Sequence, residues 1–197
     1  MNQNSKEKSL VSKFLIPSLF IANFSLFIVD LVTQIFLRDV SRTFFGSIDD
    51  AFLAITGQLV TVSSGVSFVI ALFLGFLSVK YNSKKLLVLG LLCIPIGTLG
   101  CSLAPNFIFM QIFYAIEGIG TTVTGVMTLV LVGEILPLNK KPQTLAWISL
   151  GGSLPGLLGN LAISFFFQTG DWRSFLLWFA FPISLVALVA GSISECL

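Results

Sequence analysis

Six long apolar segments constrain this chain more than any other feature of its sequence. An α-helix needs about 20 mostly apolar residues to cross the roughly 30 Å hydrocarbon core of a bilayer. The segments do not alternate between apolar and polar residues, and they are too long for the strands of a membrane barrel. We therefore predict an all-α membrane protein with six transmembrane helices. They are Phe14 to Leu37, Phe52 to Val79, Leu86 to Leu103, Phe107 to Val132, Leu145 to Phe167 and Phe175 to Ala190.

The composition agrees with a chain that lives in lipid. Hydrophobic residues make up 55% of the 197 residues and charged residues 10%, and the mean hydropathy is +0.98. A soluble domain carries about 25% charged residues, so this chain has too little polar surface to cover a water-soluble fold. The intervening polar segments are predicted to be loops. They read RDVSRTFFGSIDD, KYNSKK, APN, GEILPLNKKPQ and QTGDWR.

Basic residues predict the orientation. All eight lysines fall on one predicted side of the membrane, whereas the three arginines fall on the other side together with four aspartates. The positive-inside rule then places both termini in the cytoplasm. We also expect the membrane to be the cell membrane (plasma or inner). Because the lysines are dispersed over short loops, we expect them to meet lipid headgroups and not nucleic acid. They are Lys6, Lys8, Lys13, Lys80, Lys84, Lys85, Lys140 and Lys141.

Several kinds of chemistry are disfavoured. The chain has no histidine, and its three cysteines form no Cys-x-x-Cys pair. We therefore expect no metal site, no cofactor and no enzyme activity, because no nucleophile is paired with a base. Cys93 and Cys101 are interpreted as packing residues.

A carboxylate in the fourth apolar segment is the main pointer to function. Glu117 belongs to a polar stripe, spaced by three and four residues, that comprises Gln111, Tyr114, Glu117, Thr121, Thr124 and Thr128. The first segment carries Asn23, Asp30 and Gln34 on one face, and the fifth carries a weaker stripe that includes Asn160. Polar stripes inside a membrane face protein or water, so we predict a shared hydrated cavity.

Two interpretations of the carboxyl groups stay open at this point. Asp30 and Glu117 are expected at similar depth, where burial and mutual proximity let carboxyl groups exchange protons near neutral pH. Alternatively, each group is permanently protonated or hydrogen-bonded and serves packing.

Small residues mark expected helix contacts. The second segment has Ser63, Ser67, Ala71 and Gly75 four residues apart, and the fifth has Gly152, Pro155, Gly156 and Gly159. Such residues let helix backbones approach closely in membranes. The fifth segment could also bend at Pro155, because proline removes a backbone hydrogen bond.

Four motifs resemble the major facilitator superfamily, in order and over nearly the whole chain. GFLSVKYNSKKLL (75–87) resembles its motif A, and AIEGIG (115–120) resembles the Gln-Gly-x-Gly of its helix 4. GSLPGLLGN (152–160) resembles the helix 5 motif of its antiporters, and GDWRSFLLWFAFPISLVALV (170–189) is similar to the following loop and helix 6 of its drug:proton antiporters. The chain departs from the family pattern at Val79, Asn82 and Ser83 in motif A, and the helix 4 positions for arginine and glutamine hold Tyr114 and Glu117.

The resemblance implies half of a facilitator fold, built as two inverted three-helix repeats. Residues 1–13 would be a cytoplasmic tail, 14–193 the six-helix domain and 194–197 the start of a central cytoplasmic loop. The implied activity is transport of a small molecule by alternating access, coupled to protons and directed outward. A second six-helix half would complete the path, either as the remainder of a longer transporter or as a second copy. The rival is a non-transporting six-helix scaffold or an inactive truncated transporter.

The candidate residues follow from the polar stripes and small residues and from the family resemblance. The substrate and proton pathway would comprise Asp30, Glu117, Tyr114, Thr121, Gln34, Asn23 and Asn160. The gating loop would comprise Gly75, Lys80, Lys84 and Lys85, and the helix 5 hinge Gly152, Pro155, Gly156 and Gly159.

Overall fold

Every secondary-structure element in the described part of the chain is a helix. The computed structural model describes residues 16–28, 30–31, 35–46, 49–166 and 171–196, and of 50–51, 159–160, 162–166 and 193–196 it describes the backbone alone. The predicted tail 1–13 lies outside these ranges. The helices are α1 (Ile16–Ile28), α2 (Leu37–Phe45), α3 (Asp50–Lys80), α4 (Ser83–Leu103), α5 (Phe107–Ile135), α6 (Lys141–Phe166), α7 (Trp172–Phe175) and α8 (Phe181–Cys196).

Four described segments are long and apolar enough to cross a membrane. They are Phe52–Lys80, Ser83–Leu103, Phe107–Ile135 and Trp172–Ser192. The apolar helix α1 is shorter within the described residues, and α6 has 26 residues. The all-helical prediction is therefore confirmed for this part of the chain, whereas the count of six spans stays a prediction.

One predicted loop is a helix. The segment RDVSRTFFGSIDD contains most of α2, which runs to Phe45. Its short polar sequence hides a helical period that buries Val40 and leaves Arg38 and Arg42 exposed. Gly46 ends the helix in the left-handed conformation, with φ of 74° and its N–H donating to the carbonyl of Arg42.

The loop between α4 and α5 (104–106) is as predicted, whereas the loops before α4 and before α6 are shorter than predicted. Only Tyr81 and Asn82 separate α3 from α4. The Asn82 side chain accepts a hydrogen bond of 3.0 Å from the Lys84 N–H and so caps α4. Lys80, Lys84 and Lys85 therefore belong to helix ends, and α5 and α6 likewise extend to Ile135 and back to Lys141.

The last predicted span contains a π-helical turn. Leu176–Ala180 forms it between α7 and α8, and the Phe181 N–H donates to the carbonyl of Leu176, five residues back. Pro182 follows directly and has no N–H to continue the α-helical pattern, which explains the widened turn.

Glycines bring α4 and α5 into close contact. A Cβ added at Gly97 would lie 2.6 Å from the Cβ of Glu117 and 2.9 Å from the carbonyl oxygen of Phe113. One added at Gly120 would lie 2.8 Å from the carbonyl oxygen of Gly90. These distances show that the two backbones pack against each other without intervening side chains, as small residues permit in membranes.

Polar and aromatic contacts hold the end of the bundle that carries α2. The Trp172 indole N–H donates to Thr43 Oγ1 over 3.0 Å, and Arg173 donates to the carbonyl of Ala104 over 2.9 Å. The Arg173 guanidinium also lies 5.7 Å from the ring centroid of Phe44. These contacts tie α2 and the end of α4 to α7.

Candidate functional site

Asp30 lies where α1, α3 and α5 meet. It follows α1 and is exposed, whereas Tyr114 on α5 is 3% exposed. The Tyr114 hydroxyl donates a hydrogen bond of 3.3 Å to Asp30 Oδ1. Two residues selected from the sequence for one pathway are thus in direct contact.

Two open cavities adjoin this carboxylate. The first has a volume of about 380 Å³ and lies against the hydroxyl-bearing residues Ser63, Ser64 and Ser67 of α3. The second has a volume of about 430 Å³ and is mainly apolar. Asp30, Thr121 and Thr122 line both, so the carboxylate sits at their junction.

The second cavity contains another predicted residue. Asn23 lines it together with Leu26, Phe27, Val126 and Leu129. The structure therefore brings Asn23, Asp30 and Thr121 together, with Tyr114 behind them.

Glu117 occupies a different position. Its side chain is 2% exposed and lies against α4 at Gly97, away from the linings of both cavities. Its Oε2 has no hydrogen-bond partner among the described residues. Glu117 lies three residues along α5 from Tyr114, the residue that is bonded to Asp30. A role for Glu117 in the pathway stays a prediction.

The polar stripe on α5 spreads over several neighbours. At 3.6 residues per turn, its six residues cover about 140° of the helix circumference. Gln111, at one edge, lines a third cavity of about 570 Å³ among apolar residues of α3 and α5. Thr124, near the other edge, contacts the position of Gly90 on α4. Spacing by three and four residues could not resolve these directions.

The predicted hinge lies in a continuous helix. Pro155 is buried inside α6, which runs unbroken through it. A Cβ added at Gly152 would lie 2.8 Å from the Phe27 ring, whereas one at Gly156 would meet no atom of the described residues within 4 Å. Of Gly159 and Asn160 only the backbone is described, and Gln34 lies outside the described residues. Bending at Pro155 stays a prediction.

The predicted gating residues lie at the opposite end from α2. Gly75 is on α3 with nothing within 4 Å of an added Cβ. Nearby, Ser83 donates a hydrogen bond of 3.2 Å to Glu134 Oε1, and Lys141 donates one of 2.7 Å to the carbonyl of Gly133. The contacts that connect α4, α5 and α6 here involve Ser83, one of the positions where the chain departs from motif A.

Sequence reasoning missed part of the cavity wall. Thr122 was not selected, and Ser63 and Ser67 were interpreted as packing residues only. The signal was the run of hydroxyl residues Ser63, Ser64 and Ser67 on α3, together with the adjacent pair Thr121 and Thr122 on α5. Across the described ranges no three His, Cys, Asp or Glu side chains come together as metal ligands would.

Residues 14–194 match the family model of the Major Facilitator Superfamily. The chain belongs to this superfamily. It is an integral membrane protein of a transporter family, which confirms the resemblance seen in the motifs at the level of the superfamily. The finer likeness to drug:proton antiporters stays a prediction.

Curated relatives agree with the family. The chain is 24% identical over 152 residues to a Bacillus subtilis protein named uncharacterized MFS-type transporter YvkA, covering 77% of this chain and 33% of that protein. It is 29% identical over 170 residues to a probable sugar efflux transporter of Helicobacter pylori strain P12, covering 85% of this chain and 42% of the relative. The matched region is thus less than half the length of these relatives.

Proposed function

We propose that the chain forms the N-terminal six-helix half of a transporter that exports a small molecule by alternating access, coupled to protons. The observation that carries the proposal is Asp30, exposed at the junction of two cavities and hydrogen-bonded to Tyr114. An ionisable group between membrane helices faces water or protein and marks a transport pathway by default.

The Asp30–Tyr114 contact offers a way to couple a proton to helix movement. As a carboxylate, Asp30 can only accept hydrogen bonds, whereas the protonated acid can also donate one. Taking up a proton therefore changes the strength of the bond to Tyr114, which connects the end of α1 with α5. Glu117 lies three residues along α5 from Tyr114, within one helical turn of this bond. We assign proton exchange with the cavities to Asp30, and a supporting role to the buried Glu117.

The relatives support the direction and the kind of substrate. The Helicobacter pylori relative is named a probable sugar efflux transporter, and both relatives are longer than the matched region. We therefore propose outward transport of a small polar molecule and a second six-helix half that closes the cavities. The lysine distribution supports cytoplasmic termini, and we propose the cell membrane as the location.

The test is substrate-dependent proton movement in proteoliposomes with an imposed pH gradient. The chain is reconstituted alone, as two copies, and with the product of any reading frame that continues past residue 197. A panel of pentoses, hexoses and ethidium serves as probe substrates. We expect Asp30→Asn to lower proton-coupled flux at least about tenfold, because the amide cannot exchange a proton. The exposed Asp171→Asn is the matched control and should retain full flux.

Two results would contradict the proposal. Flux through Asp30→Asn at the wild-type rate would remove Asp30 from the mechanism. Absence of flux in every assembly of the wild-type chain would favour the scaffold or the inactive transporter.

A further inference from the structure

The second cavity has polar residues on both sides of an apolar stretch. Its lining on α5 extends from Thr121 to Thr128, and its lining on the α1 side extends from Asp30 back to Asn23. The lining residues between these positions in the sequence are Leu26, Phe27, Gly125 and Val126. Polar groups are thus separated along each helix by one apolar turn.

The α1–α2 segment and α5 run in opposite directions. Asp30 is bonded to Tyr114. Further along the chain, the rings of Phe44 and Phe45 pack against the ring of Phe107, with centroids 6.2 and 5.3 Å apart. As the chain advances beyond Asp30, its contacts on α5 therefore move back from Tyr114 toward Phe107.

This direction places the polar residues in two groups at opposite ends of the cavity. Asn23 precedes Asp30 by seven residues, and Thr128 follows Thr121 by seven residues, so both displacements point the same way. Seven residues of an α-helix rise about 10 Å. The Asp30 end (Asp30 and Thr121) and the Asn23–Thr128 end are therefore about 10 Å apart.

The hydroxyl of Thr128 is unsatisfied. The residue is 0% exposed, and Oγ1 has no hydrogen-bond partner among the described residues. A buried polar group without a partner costs about 1–3 kcal/mol, and it calls for an explanation such as a bound molecule. Because Thr128 lines the cavity, rotation about one side-chain bond can turn this hydroxyl to a group that arrives there.

Asn23 adds hydrogen-bonding capacity at the same end. Its side-chain nitrogen donates one hydrogen to the carbonyl of Leu19 over 3.0 Å. This bond leaves a second N–H and the amide oxygen. Asn23 and Thr128 can thus both donate and accept, and neither carries a charge.

We propose that Asn23 and Thr128 form a second polar subsite, which binds a hydroxyl group of an elongated ligand whose other end lies at Asp30. The inference rests on the proposed function, because it names a substrate class for the same site. A hydroxyl group both donates and accepts, so it matches the neutral pair. A charged group would find no opposite charge there, since Asp30 is the one charged residue among the described residues that line this cavity.

The ligand class is an apolar chain with a polar group at each end. An ammonium group at the Asp30 end would pair with the carboxylate, and the chain would lie against Leu26, Phe27 and Val126. Three bonds of an extended chain span about 3.6 Å, so about eight bonds are needed to cover 10 Å. 7-Amino-1-heptanol has this length and serves as a probe.

The test measures how much a terminal hydroxyl strengthens the binding of an alkylamine. Calorimetry on the full chain in lipid nanodiscs, with empty nanodiscs subtracted, compares 7-amino-1-heptanol with heptylamine and 4-amino-1-butanol with butylamine. We expect the hydroxyl to strengthen binding about fivefold in the seven-carbon pair, because it satisfies the buried polar groups. In the four-carbon pair the hydroxyl ends among apolar residues and should weaken binding.

Variants connect this gain to Thr128. Thr128→Val removes the hydroxyl at nearly constant shape, and should abolish the fivefold gain while heptylamine binds as before. Thr124→Val is the matched control and should keep the gain. The Thr124 hydroxyl is also buried without a partner among the described residues, but it faces Gly90 of α4 and Thr124 does not line this cavity. Thr128→Ser retains a hydroxyl and should keep the gain.

The outcomes separate this inference from the proposed function. Equal binding of 7-amino-1-heptanol and heptylamine, an equal gain in the four-carbon pair, or no binding of any probe would overturn the second subsite. A gain that persists in Thr128→Val, or that is lost in Thr124→Val or Thr128→Ser, would overturn it as well. Loss of proton-coupled flux in Asp30→Asn would still support transport in each of these cases, and absence of flux in the wild type would reject transport whatever the probes do.

Discussion

Glycines lie both at the α4–α5 interface and along α3, yet their surroundings differ completely. Beside Gly97 on α4, backbone and side-chain atoms of α5 fill the space that a Cβ would need. At Gly57, Gly65 and Gly75 on α3, an added Cβ would have no atom of the described residues within 4 Å. A glycine in a membrane helix therefore reports close packing only when another backbone faces it.

The two regions also differ in whether their polar groups are hydrogen-bonded. At the α4–α5 interface, Glu117 Oε2 and Thr124 Oγ1 are buried without hydrogen-bond partners among the residues that the structure describes. Between α3 and α5, the Ser67 hydroxyl bonds to a carbonyl of the facing helix and leaves a cavity beside it. The comparison indicates a rigid pair held by backbone contact and a looser pair held by hydrogen bonds around the pathway.

The largest effect is expected where the backbones touch. Gly97→Ala should lower the free energy of unfolding by about 3 kcal/mol, because two of the atoms that its Cβ would meet are backbone atoms that cannot move aside. The change is measured by thermal unfolding in detergent, with labelling of the buried Cys101 thiol as the readout. Gly65→Ala is the matched control and should be neutral or stabilising. Equal stability of the two variants would refute the comparison.

The second largest effect should be an increase in the free energy of unfolding. Glu117→Met removes an unpartnered buried polar group at similar length, and should raise the free energy of unfolding by about 1–2 kcal/mol. The same unfolding assay measures it. Glu134→Met is the control, because that carboxylate is exposed and bonded to Ser83, so its removal should bring no gain. A clear loss of stability in Glu117→Met would show that the carboxyl group has stabilising partners.

The smallest effect is expected between α3 and α5. Ser67→Ala removes one interhelical hydrogen bond and should lower the free energy of unfolding by about 0.6 kcal/mol, the average for such bonds in membranes. Ser78→Ala, whose hydroxyl bonds only within α3, is the control and should change it less. A loss as large as that of Gly97→Ala would mean that α3 is held as rigidly as α4.

The sequence was sufficient for the helices and for part of the site. Long apolar segments located α3, α4, α5 and α8 because helix length and hydropathy are local properties of the chain. Asn23, Asp30 and Thr121 were found because a polar side chain in an apolar membrane segment must face protein or water. The family followed from motif order over residues 75–189.

The features that were not predicted depend on which helix faces a residue, and the spacing of residues in the sequence does not show this. The stripe on α5 is wide enough to face α4, α1 and α3 at once. Glu117 therefore lies against α4, whereas Thr121 lines the two cavities. The glycines that join α4 to α5 look like those of α3 in sequence and differ only in what faces them. The period of α2 was hidden by its short, polar sequence, and the π-helical turn depended on Pro182 at a position where an ordinary helix was predicted.

The account depends on the α1–α3–α5 face being wet while the α4–α5 interface is dry. Thiol labelling in intact membranes with a charged, water-soluble methanethiosulfonate tests this directly, with a cysteine introduced at the cavity wall as Thr122→Cys and with Ile112→Cys in the apolar third cavity as control. The account predicts rapid labelling at position 122 and little at position 112 or at the native Cys101. Slow labelling at 122, or labelling of Cys101 at the same rate, would contradict it.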